Sequence, residues 1–410
     1  MDTRRLGKKI GVVIATIAVG AVAAVIPHLV GGGPVRERAP VTMGPAVGMP
    51  GAPPTSSSGL SQRVSEMEAR LRAQPGDVAA AVLLADALLR QARAANDVRA
   101  AGRAGEVLKG VLNENPAQYE ALRLLGAIDL SQHRFRDALE VARRARDLRP
   151  DDAWNYGVMG DAQIELGDYE QAYDAFEKMM ALRPSAAAYA RVAYARELRG
   201  DVTGALQAMQ MAAQATAPQD PEAQAWYAAQ TGELNLKLGR IEDAERDFRY
   251  GTFVFPRYPL AMIGQGKVKA ARGDFDGALI FYLDQLTRTP TLDLAARVGD
   301  LYARRGDAVQ AERYYQMAED VAGPGLVQTE ANLALFLADH DRKLPDAVTI
   351  AETVSKTRRD IFTEDALAWA YYKAGRVDEA LAASQLALRT GTRDEALLAR
   401  AARIREAAGS

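Results

Sequence analysis

Proline returns at a fixed interval in this chain. Pro116, Pro150 and Pro184 stand 34 residues apart, as do Pro256 and Pro290. Between them an alanine recurs at a constant offset, at Ala138, Ala172, Ala205, Ala244, Ala278, Ala311 and Ala380. A small residue precedes it at Gly126, Gly160, Gly232, Gly266 and Gly299, and a turn glycine at Gly167, Gly200, Gly239, Gly273, Gly306 and Gly375. A period of this length is one supersecondary unit, which cannot bury its apolar face alone. Stacking such units builds one continuous core in an elongated array rather than a set of compact domains.

The clearest unit is 153–186, AWNYGVMGDAQIELGDYEQAYDAFEKMMALRPSA. Its Tyr156, Met159, Gly160, Gly167, Tyr169, Ala172, Phe176 and Pro184 stand where the tetratricopeptide repeat places its bulky, small and terminating residues, and the unit resembles that family. Small residues let two antiparallel helices approach closely, the Gly-Asp turn separates them, and proline, with no amide proton, stops the second helix. Similar units begin at residues 119, 186, 225, 259, 292 and 361. Two are irregular: 77–116 has a lengthened first helix (RQARAAND), and 327–360 a longer turn (HDRKLPDA). The expected fold is all-α: an α-solenoid of about nine helix pairs over residues 77–393, which the resemblance implies is a right-handed superhelix with a concave groove. Leu60, Val64, Met67 and Leu71 share one helical face, predicting a leading cap helix within 61–76. Residues 394–410 read as a final capping helix.

The first sixty residues have no such pattern. Residues 1–9 carry Arg4, Arg5, Lys8 and Lys9. Residues 10–30 are an almost unbroken apolar run, of the ~20 residues a spanning helix needs. Basic residues on its N-terminal side place that terminus in the cytoplasm and the array outside. The expectation is a single-pass membrane anchor. The alternative is a cleaved signal peptide, since Ala21-Val22-Ala23 has the small-x-small shape of a cleavage site and would leave a periplasmic or secreted protein. Residues 31–60 hold seven Gly and six Pro and read as a flexible linker with a reach of roughly 30 Å.

Little in the chain suggests chemistry. Cysteine is absent, which excludes disulfides, thiol nucleophiles and Cys-ligated metals. The formal net charge of -2 gives no basic excess to drive nucleic-acid binding. His133 and His340 sit at inter-helix turns of distant repeats and read as solvent-exposed, so no metal site and no cofactor is expected. Gly264-Gln265-Gly266 lacks the third glycine and the preceding strand of a dinucleotide fingerprint. The basic clusters Arg143-Arg144-Arg146 and Lys356-Arg358-Arg359 read as solvated faces. The chain is therefore not expected to be an enzyme.

In tetratricopeptide proteins the first helix of each pair lines the concave face. Carried over unit by unit, the resemblance places Glu120, Arg123, Trp154, Asp161, Glu165, Tyr194, Glu233, Lys237, Lys267, Asp300, Arg304, Asp365, Trp369, Tyr372 and Lys373 there. Twelve of these are the candidate partner-binding residues: Arg123, Trp154, Asp161, Glu165, Tyr194, Glu233, Lys237, Lys267, Asp300, Arg304, Trp369 and Tyr372. Mixed charge with aromatic anchors suits a protein or peptide partner. Trp369 and Tyr372 have two readings, a hot spot at one end of the groove or packing against the final cap helix. Gly157 and Asp161 stand at two places where carboxylate-clamp members of the family need their clamp residues, so a C-terminal carboxylate ligand is not expected. The expected function is a non-catalytic interaction scaffold; an accessory protein binding a glycan or small ligand is the alternative from another class.

Overall fold

A computed structural model describes residues 57–95, 98–217, 221–322 and 330–409. The N-terminal run 10–30 and the linker lie outside the described residues. Among those described, no helix is long and apolar enough to cross a membrane, and no residue is in a strand. Among the described residues twenty helices follow one another. The leading helix is α1 (Ser57–Ala73), and nine antiparallel pairs come next. They are α2 (Val78–Ala95) with α3 (Val98–Glu114), α4 (Tyr119–Ser131) with α5 (Phe135–Leu148), and α6 (Ala153–Leu166) with α7 (Tyr169–Leu182). Then come α8 (Ala186–Leu198) with α9 (Val202–Gln214), α10 (Pro221–Lys237) with α11 (Ile241–Val254), and α12 (Pro259–Ala271) with α13 (Phe275–Arg288). The last pairs are α14 (Leu292–Arg304) with α15 (Ala308–Ala322), α16 (Glu330–Asp339) with α17 (Leu344–Ser355), and α18 (Ile361–Lys373) with α19 (Val377–Ala387); α20 (Glu395–Ala407) ends the array.

The repeat residues do the work their spacing implies. Ala138, Ala172, Ala205, Ala244, Ala278 and Ala380 are all fully buried. A Cβ added at Gly160 would come well inside van der Waals contact with the Phe176 ring, and one at Gly266 with the Tyr282 ring. The glycine and the aromatic are thus the two halves of one close helix–helix approach. Several first helices start on side-chain caps: Asp152 accepts from the Trp154 amide at 2.9 Å, Ser185 from Ala188 at 3.3 Å, and Thr291 from Leu294 at 3.2 Å. Most first helices end on a left-handed glycine, and α4 on His133 at φ +57°; at Gly167, with φ +82°, the Gly167 and Asp168 amides donate to the Ile164 and Gln163 carbonyls. The irregular eighth pair has a ten-residue first helix, and its turn uses Asp341 and Lys343 at positive φ instead of glycine.

Between pairs, first helices pack on the first helices of the next pair, and second helices pack on the next first helix. First helices therefore form the inner layer. The resulting groove is not open along its whole length. The loops preceding α18 and α20 lie across the turns that follow α6 and α8. The Ile361 amide donates to the Tyr169 hydroxyl at 2.7 Å, 192 residues away in sequence. Ile361 and Leu397 join the same core as Phe135, Tyr169 and Tyr194. Successive turns of the array touch each other, and the seam between them seals part of the inner layer.

Candidate partner-binding surface

Five of the twelve candidate residues are buried: Asp161, Glu165, Tyr194, Lys267 and Trp369. Arg123, Trp154, Glu233, Lys237, Asp300 and Tyr372 are half-buried, and Arg304 is exposed. The charged members are largely engaged by the neighbouring repeat. Arg191 on α8 grips Asp161 on α6 with its Nε at 2.9 Å and its Nη2 at 2.5 Å. Lys237 on α10 reaches Glu197 on α8 at 2.7 Å, and Lys267 on α12 reaches Glu233 on α10 at 2.7 Å. Arg400 on α20 holds Asp365 on α18 through Nε at 2.9 Å and Nη2 at 2.5 Å. A ladder of ion pairs therefore stitches first helix to first helix. Desolvation pushes the Asp161 and Asp365 carboxyls up and the Lys267 amine down, while their partners pull each back toward its charged form.

Trp154 and Arg123 form a second kind of stitch. The indole Nε1 donates to the Arg123 carbonyl at 3.2 Å, and the Arg123 guanidinium lies 4.7 Å from the indole ring centroid. Asp300 accepts from the Tyr315 hydroxyl at 3.0 Å. Arg304 lies with its guanidinium 5.5 Å from the Phe275 ring centroid. Trp369 stacks on Tyr372 at 4.9 Å between centroids and belongs to a core that includes Phe336 and Ile404 of α20. Of the two readings of Trp369, packing toward the cap helix describes its position; Tyr372 keeps a solvent-facing part.

Two expectations from the sequence are corrected. His133 and His340 are not solvent-exposed turn residues. Both ring nitrogens of His133 are buried without a hydrogen-bond partner, and burial holds its basicity well below the ordinary value. His340 packs its ring 4.3 Å from that of Tyr315. Nor is Arg358 part of a solvated face: it is 6% exposed and its Nη2 lies 2.7 Å from Glu165 Oε2. Burial, with Asp360 and Asp161 nearby, pushes the Glu165 carboxyl up to about 8, against the pull of Arg358. At the same seam Lys237 approaches Asp394 at 3.4 Å. Arg191, Glu197, Asp394 and Arg400 are thus residues that sequence reasoning passed over, and Arg358 is one it misread. Arg191 and Arg400 each follow the acid they hold by about one repeat, a spacing visible in the sequence.

Among the described residues no cluster of His, Cys, Asp or Glu could hold a metal ion. What the inner layer offers is a fixed, polar and aromatic surface on a stiff stack. Helix pairs at a 34-residue period, joined this way, are the defining feature of a tetratricopeptide-repeat solenoid.

Comparison with known proteins agrees. Residues 129–196 and residues 230–293 each match a tetratricopeptide-repeat family model, so the chain contains tetratricopeptide repeats. A stretch of 70 residues is 40% identical to the Hsp70-Hsp90 organizing protein of Triticum aestivum, covering 17% of this chain and 12% of that protein. Another of 92 residues is 36% identical to human tetratricopeptide repeat protein 36, covering 22% of this chain and 48% of that one. The matches thus span about an eighth and about half the length of these two relatives. The solved human IFIT1 dimer with m7Gppp-AAAA is similar in fold alone, with a TM-score of 0.52 over 81% of this chain and 77% of that chain, at 15% identity.

Proposed function

We propose that this chain is a non-catalytic protein-interaction scaffold, tethered through residues 10–30 with its N-terminus in the cytoplasm and its repeat array outside. One observation carries the scaffold reading. The inner-layer acids and bases are tied to the next repeat rather than gathered around a reactive pocket, as Asp161 is by Arg191. Such a ladder makes a rigid, pre-organised surface, which lowers the ordering cost of binding a partner. The relatives support the same reading, one of them being named as an organizer of two other proteins. The tether rests on the apolar run and its basic flank in the sequence.

The surface test is positional. A photo-cross-linking residue in place of Arg304 or Tyr372, on first helices, is expected to capture one and the same partner. The same residue in place of Arg143, exposed on the second helix α5, is expected not to. Capture from Arg143 alone overturns the assignment of the inner layer. For the tether, protease added outside intact spheroplasts is expected to digest the array; a protected array reverses the orientation. A mature N-terminus near Ala24 replaces the anchor by a cleaved, soluble binding protein.

A further inference from the structure

The C-terminal end of a helix leaves carbonyls without partners and carries the negative end of the helix dipole. At α6 the Ile164 and Gln163 carbonyls are satisfied by the turn, and the Glu165 carbonyl accepts from the Arg359 amide at 2.8 Å. Two residues further on, the Ile361 amide donates to the Tyr169 hydroxyl at 2.7 Å. Alternate amides of the 358–361 segment therefore face the array, as they do when an extended peptide docks. Its side chains fill two matching places. The Arg358 guanidinium lies against the Glu165 carboxylate and over Phe135, 5.7 Å from the ring centroid. Ile361 is fully buried in the core shared with Tyr169 and Tyr194. Gly167 makes room, since a Cβ there would meet the Arg359 carbonyl oxygen at 2.7 Å.

The occupant fits incompletely. Arg358 Nε is buried with no hydrogen-bond partner, while Nη2 lies 2.7 Å from Glu165 Oε2 and 3.2 Å from Asp360 Oδ2. A guanidinium on a free peptide can present both nitrogens to a carboxylate in parallel. We propose that this cleft, built from Glu165, Tyr169, Phe135 and the Gly167 turn, is a recognition site for an extended arginine-bearing peptide. Residues 358–361 fill it in cis, and a partner protein with such a segment takes their place. This rests on the reading of the array as protein-binding and names the chemistry of the partner.

The test uses the full chain and a fluorescein-labelled peptide with the sequence of residues 355–363. Fluorescence anisotropy is expected to show binding to Arg358→Ala, and binding at least about tenfold weaker to wild type, where the tethered segment competes at high effective concentration. Replacing the arginine corresponding to Arg358 in the peptide by alanine, or adding Glu165→Ala to the protein, is expected to abolish binding. A second readout needs no variant: a large excess of peptide is expected to speed hydrogen exchange at the Arg359 and Ile361 amides of wild type. The proposal is overturned by arginine-independent binding, or by no binding to a folded Arg358→Ala chain. Unchanged exchange in wild type overturns it equally. Such a failure, with the Arg304 and Tyr372 cross-links intact, removes the peptide site and leaves the scaffold reading standing.

Discussion

Asp161 and Arg191 sit 30 residues apart on adjacent first helices and meet through two N–H···O bonds, both side chains withdrawn from water. Breaking a buried pair from one side leaves the other charge uncompensated, at a cost of about 3–5 kcal/mol. Asp161→Ala is therefore expected to lower the urea midpoint sharply. Replacing both residues with apolar side chains of similar volume is expected to recover most of the loss. If the single and double variants unfold at the same urea concentration, the pair is not what Asp161 contributes.

The glycine–aromatic approach gives a packing test. Gly160→Ala puts a methyl group well inside van der Waals contact with the Phe176 ring, which is itself buried. Overpacking of this kind costs about 1–3 kcal/mol. The prediction is a lower midpoint for Gly160→Ala and partial restoration when Phe176→Leu is added. Additive losses in the double variant would show that the two residues do not share the site.

Two turn glycines separate the seam from backbone strain. Gly200 and Gly239 have nearly the same left-handed geometry, φ +79° and +70°. A Cβ at Gly239 meets nothing within 4 Å, whereas one at Gly200 meets the Gly391 carbonyl oxygen at 2.7 Å. Gly239→Ala is expected to cost the strain alone, about 1–2 kcal/mol. Gly200→Ala carries the same strain and pushes the two turns of the array apart. Small-angle scattering is expected to show a larger radius for Gly200→Ala than for Gly239→Ala. Equal radii would mean the seam does not hold the array closed.

Stability is expected to fall with rising pH across the neutral range. Burial pushes Asp129 and Asp247 up to about 6 and Glu165 to about 8. In the unfolded chain these groups ionise near pH ~4, so between there and their folded values the native state binds more protons. Their stabilisation is complete at low pH and is lost as pH rises through the folded values. The melting temperature is expected to be higher at pH 5.5 than at pH 8, although the buried His133 and His340, whose basicity burial lowers, oppose part of the change below pH ~6.5. Asp247→Asn, which keeps a polar group facing Asn235, is expected to flatten part of that slope. A melting temperature that climbs over this interval would contradict the assignment.

Much of the fold could be read from spacing because it is local. Ala172 and Phe176 lie in the same unit as Gly160, so a 34-residue frame contains the whole close approach. The candidate surface was only half legible. The frame assigns Asp161 and Lys267 to the inner layer, where they are found, but not their engagement by the next repeat. Arg358 was misread for a different reason. Its partner Glu165 lies 193 positions earlier (358 minus 165), and that separation depends on how tightly the array coils. Pitch is the accumulated result of many small inter-repeat rotations, and no single unit records it. Trp369 shows the same limit, since its stacking on Tyr372 follows from helical spacing but its burial depends on which core closes over it.

The seam turns repeat number into a counted quantity. Glu165 faces Arg358, Tyr169 faces Ile361 and Gly200 faces Gly391, each across almost the same length of chain. Arrays of stacked units ordinarily grow or shrink by duplication and loss, because each unit answers only to its neighbours. Here one extra or one missing unit between α8 and α16 would bring a different loop to the α6 turn, and the arginine would arrive opposite the wrong helix. The chain can accept substitutions in the intervening repeats far more readily than a change in how many there are.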